Sequence, residues 1–215
     1  ELRGLGITPD ILVCRSSAPL NDETREKLAA FCHVAPEAVM STHDVPNIYH
    51  VPLMLEKQGL CEILKLDCNA TDLIEQWRTM AHNLDTLSEE VHIAMVGKYT
   101  NLSDAYLSVI KSLQHAAMAV NRKLVIDWIE ASHLESDWSD SQEREEAWTL
   151  LKQASGVLVP GGFGDRGVEG KILAAEYART SSTPYLGICL GLQVAAIEFC
   201  RNVLGFKESN STEFD

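Results

Sequence analysis

The chain has 215 residues, 46% of them hydrophobic and 23% charged, with a formal net charge of −13. That is a globular composition, enough for one large or two small domains; no apolar run is long enough to span a membrane, and no signal peptide opens the chain. A surface this acidic argues against nucleic acid or an anionic membrane as partner, while local basic pockets can still hold small anions.

In chain order, Ile11 to Arg15 reads as a buried strand. Asn21, Asp22 and Glu23 then open a helix to His33, with acids in its first turn and Leu28, Phe31 and Cys32 on one side. Ala38 to Thr42 is a second short strand. His43-Asp44-Val45-Pro46 leaves it, and Asn47 to Gln58 is helical, with Pro52 in a first turn and Gly59 as the stop. Strand, helix, strand, helix suggests the end of an α/β domain, because two strands cannot make a doubly covered sheet. Residues 66 to 90 carry one helical pattern (Leu73, Trp77, Met80, Leu84). They fit either an interdomain linker helix or a surface helix of a continuous domain.

From Val91 the beat becomes regular. Strands are predicted at Val91–Val96, Leu124–Ile129, Gly156–Pro160 and Tyr185–Ile188. Helices are predicted from Asp104 to Asn121 (Val109, Ile110, Leu113, Ala117 and Val120 inward, Ser103 as cap), Ser141 to Gln153, Val168 to Thr180, and Leu190 to Leu204 before Gly205. Repeated βα units predict a doubly wound parallel sheet, with ligands at the carboxyl ends of its strands.

Two glycine-rich segments fall at such ends. Gly187-Ile188-Cys189-Leu190-Gly191 between a strand and a helix has the form of a nucleophile elbow, with Cys in place of Ser. The flanking positions must be small because strand and helix crowd them. The thiol of Cys189 would sit at the positive end of the helix dipole, which favours thiolate, and the Leu190 N–H would face a developing oxyanion. A buried structural Cys is the competing reading. Gly161-Gly162 would bring a second main-chain donor to that oxyanion. Gly162-Phe-Gly164-Asp-Arg-Gly167 is a literal G-x-G-x-x-G, but the acid a dinucleotide site needs at the next strand end is replaced by Cys189. Gly97-Lys98 lacks the first glycine of a phosphate loop and reads as a polar loop. Lys27, and the pair His43-Asp44, fit a solvated surface as well as a site. None of the seven His follows the elbow, so the base that a Cys nucleophile needs has no evident candidate. Six Cys without a CxxC pair predict reduced thiols, no zinc site and a cytoplasmic setting.

Taken together, Pro160-Gly-Gly-Phe-Gly164, Arg166-Gly-Val-Glu-Gly170, Gly187 to Gln193 and Asn210-Ser-Thr-Glu-Phe214 resemble the class I glutamine amidotransferase domain of the CTP synthase family. Ile11 to Ser16, Lys27 to Cys32 and His43-Asp-Val45 are similar to the end of that family's synthetase domain. The resemblance implies three parts: 1–65 the C-terminal portion of an amidoligase domain, 66–90 a linker, and 91–215 the amidotransferase domain, ending before the family's His/Glu pair. It implies amination of UTP to CTP with ATP, Mg²⁺ and glutamine, GTP as activator, and a homo-oligomer, a tetramer. The phosphate loop and magnesium carboxylates of the family would precede Glu1.

Residue by residue, the resemblance makes Cys189 the nucleophile. Gly161, Gly162, Leu190, Gly191, Leu192, Gln193 and Glu213 become the glutamine and oxyanion site. Lys27 becomes a UTP/CTP contact, Asp44 and Val45 the region of the ATP base, and Arg166 part of a lid linked to GTP. The alternatives are a Cys-elbow peptidase or deglycase, which Glu213 and the first 65 residues suit poorly, and a non-catalytic regulatory chain.

Overall fold

The structure is a computed structural model describing residues 2–66, 71–98 and 103–213. It forms two compact units, Glu1–Thr86 and Leu87–Asp215.

In the first unit, β1 (Leu12–Ser16) and β2 (Val39–His43) form a two-stranded parallel sheet, with Cys14 opposite Ser41 and Ser16 opposite His43. Between them runs α1 (Asp22–Cys32). Its cap is Asn21, whose side chain accepts from the Thr24 N–H at 2.8 Å, and His33 closes it in the left-handed region at φ 58°. The stripe predicted for α1 is corrected at Phe31, which is 79% exposed; the helix turns Ala29 inward instead. A single helix α2 (His50–Lys57) starts two residues before Pro52, and Gly59 at φ 79° turns the chain into α3 (Leu60–Ile63). Gln58 clamps β2 by exchanging two hydrogen bonds with the Ser41 backbone. α4 (Thr71–Thr86) packs on α2. Trp77 donates to the Tyr49 carbonyl at 2.7 Å, Asn47 bridges the Ala81 carbonyl and Asp85, and His50 meets Asp85 at 2.6 Å. Cys61 is disulfide-bonded, which corrects the expectation of reduced thiols throughout.

The second unit carries a four-stranded, all-parallel sheet in the order β4-β3-β5-β6. The strands are β3 (Glu90–Gly97), β4 (Lys123–Glu130), β5 (Gly156–Val159) and β6 (Tyr185–Gly187). The helices are α5 (Leu107–Ala119), α6 (Ser141–Gln153), α7 (Val168–Ser181) and α8 (Leu190–Asn202). Strands alternate with helices as the sequence pattern predicts. Three boundaries differ by more than one residue. A 3-10 turn, Ser103–Tyr106, precedes α5, so Tyr106 rather than Ser103 takes the cap position; Val120 falls beyond the helix and is 62% exposed; and α8 ends at Asn202. The core lies between sheet and helices, built from Ala94, Val96, Ile129, Leu151, Val157, Val159, Ile172 and Val194. Strand order reverses between β3 and β5, so the loops after these two strands flank the crevice where such sheets bind ligands.

One polar pair is set in this core. Arg179 of α7 grips the carboxylate of Glu198 of α8, with its Nε at 3.1 and 2.9 Å and Nη2 at 2.7 Å. The Glu198 side chain is buried while the arginine reaches solvent. The guanidinium bonds hold the Glu198 carboxyl below its ordinary range, against the opposing effect of burial. Arg179→Ala would leave a buried carboxylate without its partner. A drop of several degrees in melting temperature is expected, whereas Arg122→Ala, which breaks the exposed pair with Glu89, should leave it unchanged within error.

Candidate active site

Cys189 occupies the junction of β6 and α8. Its backbone stands at φ 53°, ψ −108°, in the region that L-residues avoid, and its side chain is exposed. Neighbouring backbone forces that posture. The Ile188 N–H donates to the Val159 carbonyl at 3.0 Å, and the Cys189 carbonyl accepts from the N–H groups of Leu192 and Gln193. The Leu190 N–H opens the helix, where no intrahelical acceptor exists. Its side chain is buried in the core, as is Gly191, while Leu192 points to solvent.

The flanking glycines are sterically required. A Cβ on Gly187 would lie 2.4 Å from the Gly191 backbone, and one on Gly191 would lie 2.0 Å from the Val159 carbonyl oxygen. Gly161 faces Cys189 directly: a Cβ there would meet Cys189 Cβ at 3.4 Å and Sγ at 3.9 Å. Gly162 stands next along the same loop, against the Leu190 side chain. The structure thus gathers Gly161, Gly162, Cys189 and Leu190 at adjoining strand ends. Gln193 joins them to the tail of the chain, because its Oε1 accepts from the Ser211 hydroxyl at 3.1 Å, two residues before Glu213, which is exposed.

The loop after β5 is tied down by residues to which the sequence reading gave no site role. Lys98, just past β3, is 8% exposed, and its ammonium donates to the carbonyls of Phe163 and Gly164 at 3.0 and 2.9 Å. Burial pushes its pKa down, with Asp165 and Glu130 opposing and Arg166 assisting. Lys171 of α7 is 1% exposed, with its ammonium 3.6 Å from where a Gly162 Cβ would stand. Burial first, and then the Lys98 cation, push Lys171 down to about 8, against the pull of Glu130. Arg166 donates to Glu130 at 2.8 Å, joining the loop after β5 to the end of β4. Three cations thus converge on one loop of an acidic protein. Spacing offered one signal for Lys171: it shares the inward face of α7 with Val168, Ala174, Ala175 and Ala178. Lys98 carried no such signal.

In the first unit, the ammonium of Lys27 is exposed and paired with Glu23 one turn earlier at 2.6 Å. Asp44 is exposed and paired with Arg15, and Val45 is half-buried beside it. Among the described histidines of the second unit, His92 lies near the amino end of β3 and bonds Asp127, away from the carboxyl ends where Cys189 stands. His133 packs on Trp138.

The family model for glutamine amidotransferase class-I matches residues 101–213. The chain belongs to the class I glutamine amidotransferase family. A second family model, for the CTP synthase N-terminus, matches residues 1–69. Over its whole length the chain is 52% identical to a CTP synthase of Dictyostelium discoideum and 50% identical to CTP synthase 1 of Homo sapiens. Both of these relatives are CTP synthases. The chain spans 41% and 38% of those relatives' lengths. Among solved structures it is similar to the glutaminase domain of Trypanosoma brucei CTPS with bound acivicin, at TM-score 0.52 and 43% identity, over 58% of this chain and 46% of that one.

Proposed function

We propose that this chain carries the glutamine-hydrolysing centre of a CTP synthase together with part of its nucleotide-handling domain. The observation that carries the reading is the exposed thiol of Cys189, held at φ 53° at a strand-to-helix junction against Gly161. A sulfur fixed there can attack the carboxamide of glutamine. The carbonyl electron pair moves onto oxygen, which the N–H groups of Gly162 and Leu190 receive. Collapse of that intermediate, with the proton given up by the thiol delivered to nitrogen, breaks the C–N bond, expels ammonia and leaves a thioester, which water then cleaves to glutamate and the free thiol. Leu192, Gln193 and Glu213 hold the rest of the glutamine. In the first unit, Lys27 contacts the phosphates of UTP or CTP, and Asp44 and Val45 border the adenine of ATP. Arg166, hinged on Glu130, belongs to a lid through which GTP activates hydrolysis. Residues 1–65 are the end of the amidoligase domain, 66–90 the linker and 91–215 the amidotransferase domain, in a cytoplasmic homotetramer.

Mg²⁺ enters the family's reaction with ATP. Among the described residues, the group with metal-ligand spacing is His50, His82 and Asp85. It is rich in nitrogen where Mg²⁺ takes oxygen, so no step is assigned to a magnesium ion on these residues.

The test is CTP formation by the full-length protein from UTP and ATP, with glutamine or ammonium as nitrogen donor. Pretreatment with acivicin should remove glutamine-dependent synthesis, spare ammonium-dependent synthesis and add one adduct at Cys189. An adduct elsewhere, or equal loss with both donors, would count against the assignment.

A further inference from the structure

We infer that Lys171 is a positioning residue for the oxyanion site: its buried ammonium, set beneath Gly162, biases that stretch of backbone toward holding negative charge. The inference rests on the reading of Cys189 as nucleophile and deepens it.

The argument begins with the company this lysine keeps. It sits on the inward face of α7 among Val168, Ile172, Ala174 and Ala175, where an apolar side chain would pack without penalty. Its ammonium lies beside Gly162 and close enough to Lys98 for the two cations to disfavour one another, with Glu130 as the nearest opposing charge and already engaged by Arg166. Burying a cation beside another cation costs stability, and well-packed apolar residues commonly outperform buried charges in a fold. A feature that works against folding yet sits at a reactive centre is expected to act in the chemistry. The depressed titration of Lys171 agrees with this strain, and its burial under Gly162 is seen directly in the geometry.

The geometry says what the charge does. Gly161 touches Cys189, Gly162 follows it, and Lys98 fixes the next two carbonyls, Phe163 and Gly164. With those carbonyls held by Lys98, the Gly161-Gly162 amides have little freedom to turn. A cation under them strengthens the local positive potential where charge develops, at low effective dielectric. Lys171 need not touch substrate; it acts through the Gly162 backbone.

The test uses the full-length protein and L-glutamate γ-semialdehyde. The Cys189 thiolate adds to its aldehyde carbon, the carbonyl π bond breaks, and the electron pair rests on oxygen in the position of the oxyanion. Affinity is measured calorimetrically for the parent, Lys171→Met, Lys171→Leu and Cys189→Ser. Both neutral replacements are expected to bind the aldehyde about tenfold more weakly. Binding of glutamine itself, measured in a Cys189→Ser background, should stay within about twofold. Both should also melt at a higher temperature than the parent. Unchanged aldehyde affinity, an equal loss for glutamine, or a lower melting temperature overturns the inference, the last by making Lys171 a structural lysine. If Cys189→Ser binds the aldehyde as well as the parent, the nucleophile assignment itself falls, and the two failures stay distinct.

Discussion

Cys189→Ser is expected to abolish glutamine-dependent CTP synthesis, with a loss of at least about 10³-fold in kcat, and to leave ammonium-dependent synthesis near the parent value. The substitution changes one atom and no shape, so the elbow should survive: its posture is set by the Ile188 and Val159 backbone bond and by the helix-opening bonds to the Cys189 carbonyl, none of which involve the side chain. What is lost is the nucleophile. A thiol ionises far more readily than a hydroxyl and attacks as thiolate, so serine in its place is a much weaker nucleophile. The expected thermal melt of the variant matches the parent. A coupled glutaminase assay, with mass spectrometry for the acivicin adduct, checks the outcome; a variant retaining a tenth of the activity would show that another group attacks the amide.

The structure explains why part of this site could be read in advance and part could not. Strands β3 and β5 announce themselves as continuous apolar runs and helix α7 by residues buried at helical spacing, and Gly187 and Gly191 stand out because only a missing side chain allows backbone to approach within the distances seen. Periodicity says less where a helix is covered on a narrow face. In α1, Ala29 takes the inward position and Phe31 is left outside; Val120 misses the core because α5 stops at Ala119. The lysines were hidden for a different reason. A charged residue on an apolar face reads as an exception to be discounted, and Lys98 follows a strand where polar loop residues are ordinary. Only the return of the chain, sixty-odd residues later, brings the carbonyls of Phe163 and Gly164 to the Lys98 ammonium. Long-range pairing of this kind leaves no local trace, whereas the elbow is a short-range feature and does. The literal G-x-G-x-x-G ending at Gly167 illustrates the converse: Gly164 and Gly167 are needed for their left-handed backbone, at φ 77° and 74°, and the motif forms the strapped loop beside Cys189.

Gly191→Ala is expected to damage both the fold of the second unit and its chemistry. The added carbon would sit 2.0 Å from the Val159 carbonyl oxygen and 2.9 Å from its carbon, far inside contact distance. Relief would have to come from backbone, and each route is blocked. The Val159 carbonyl accepts the Ile188 N–H at 3.0 Å, so turning it away breaks the last bond joining β5 to the elbow. The Gly191 carbonyl accepts the Tyr185 hydroxyl at 2.7 Å, so sliding α8 outward leaves that largely buried phenol without its acceptor. Gly187 packs on the same residue from the other side, within 2.4 Å of it were a Cβ present. Overpacking usually costs about 1–3 kcal/mol; with backbone on both sides and two hydrogen bonds at stake, a cost of at least about 3 kcal/mol is expected here. Any molecules that do fold should carry Cys189 displaced from Gly161, so acivicin labelling should fall further than the folded fraction. Urea denaturation and labelling on the same samples separate the two effects. Gly4→Ala, where nothing lies within 4 Å of the new methyl, is the matched control and should change neither. If Gly191→Ala melted within a degree of the parent, the close approach of α8 to β5 that holds the thiol at its junction would be refuted.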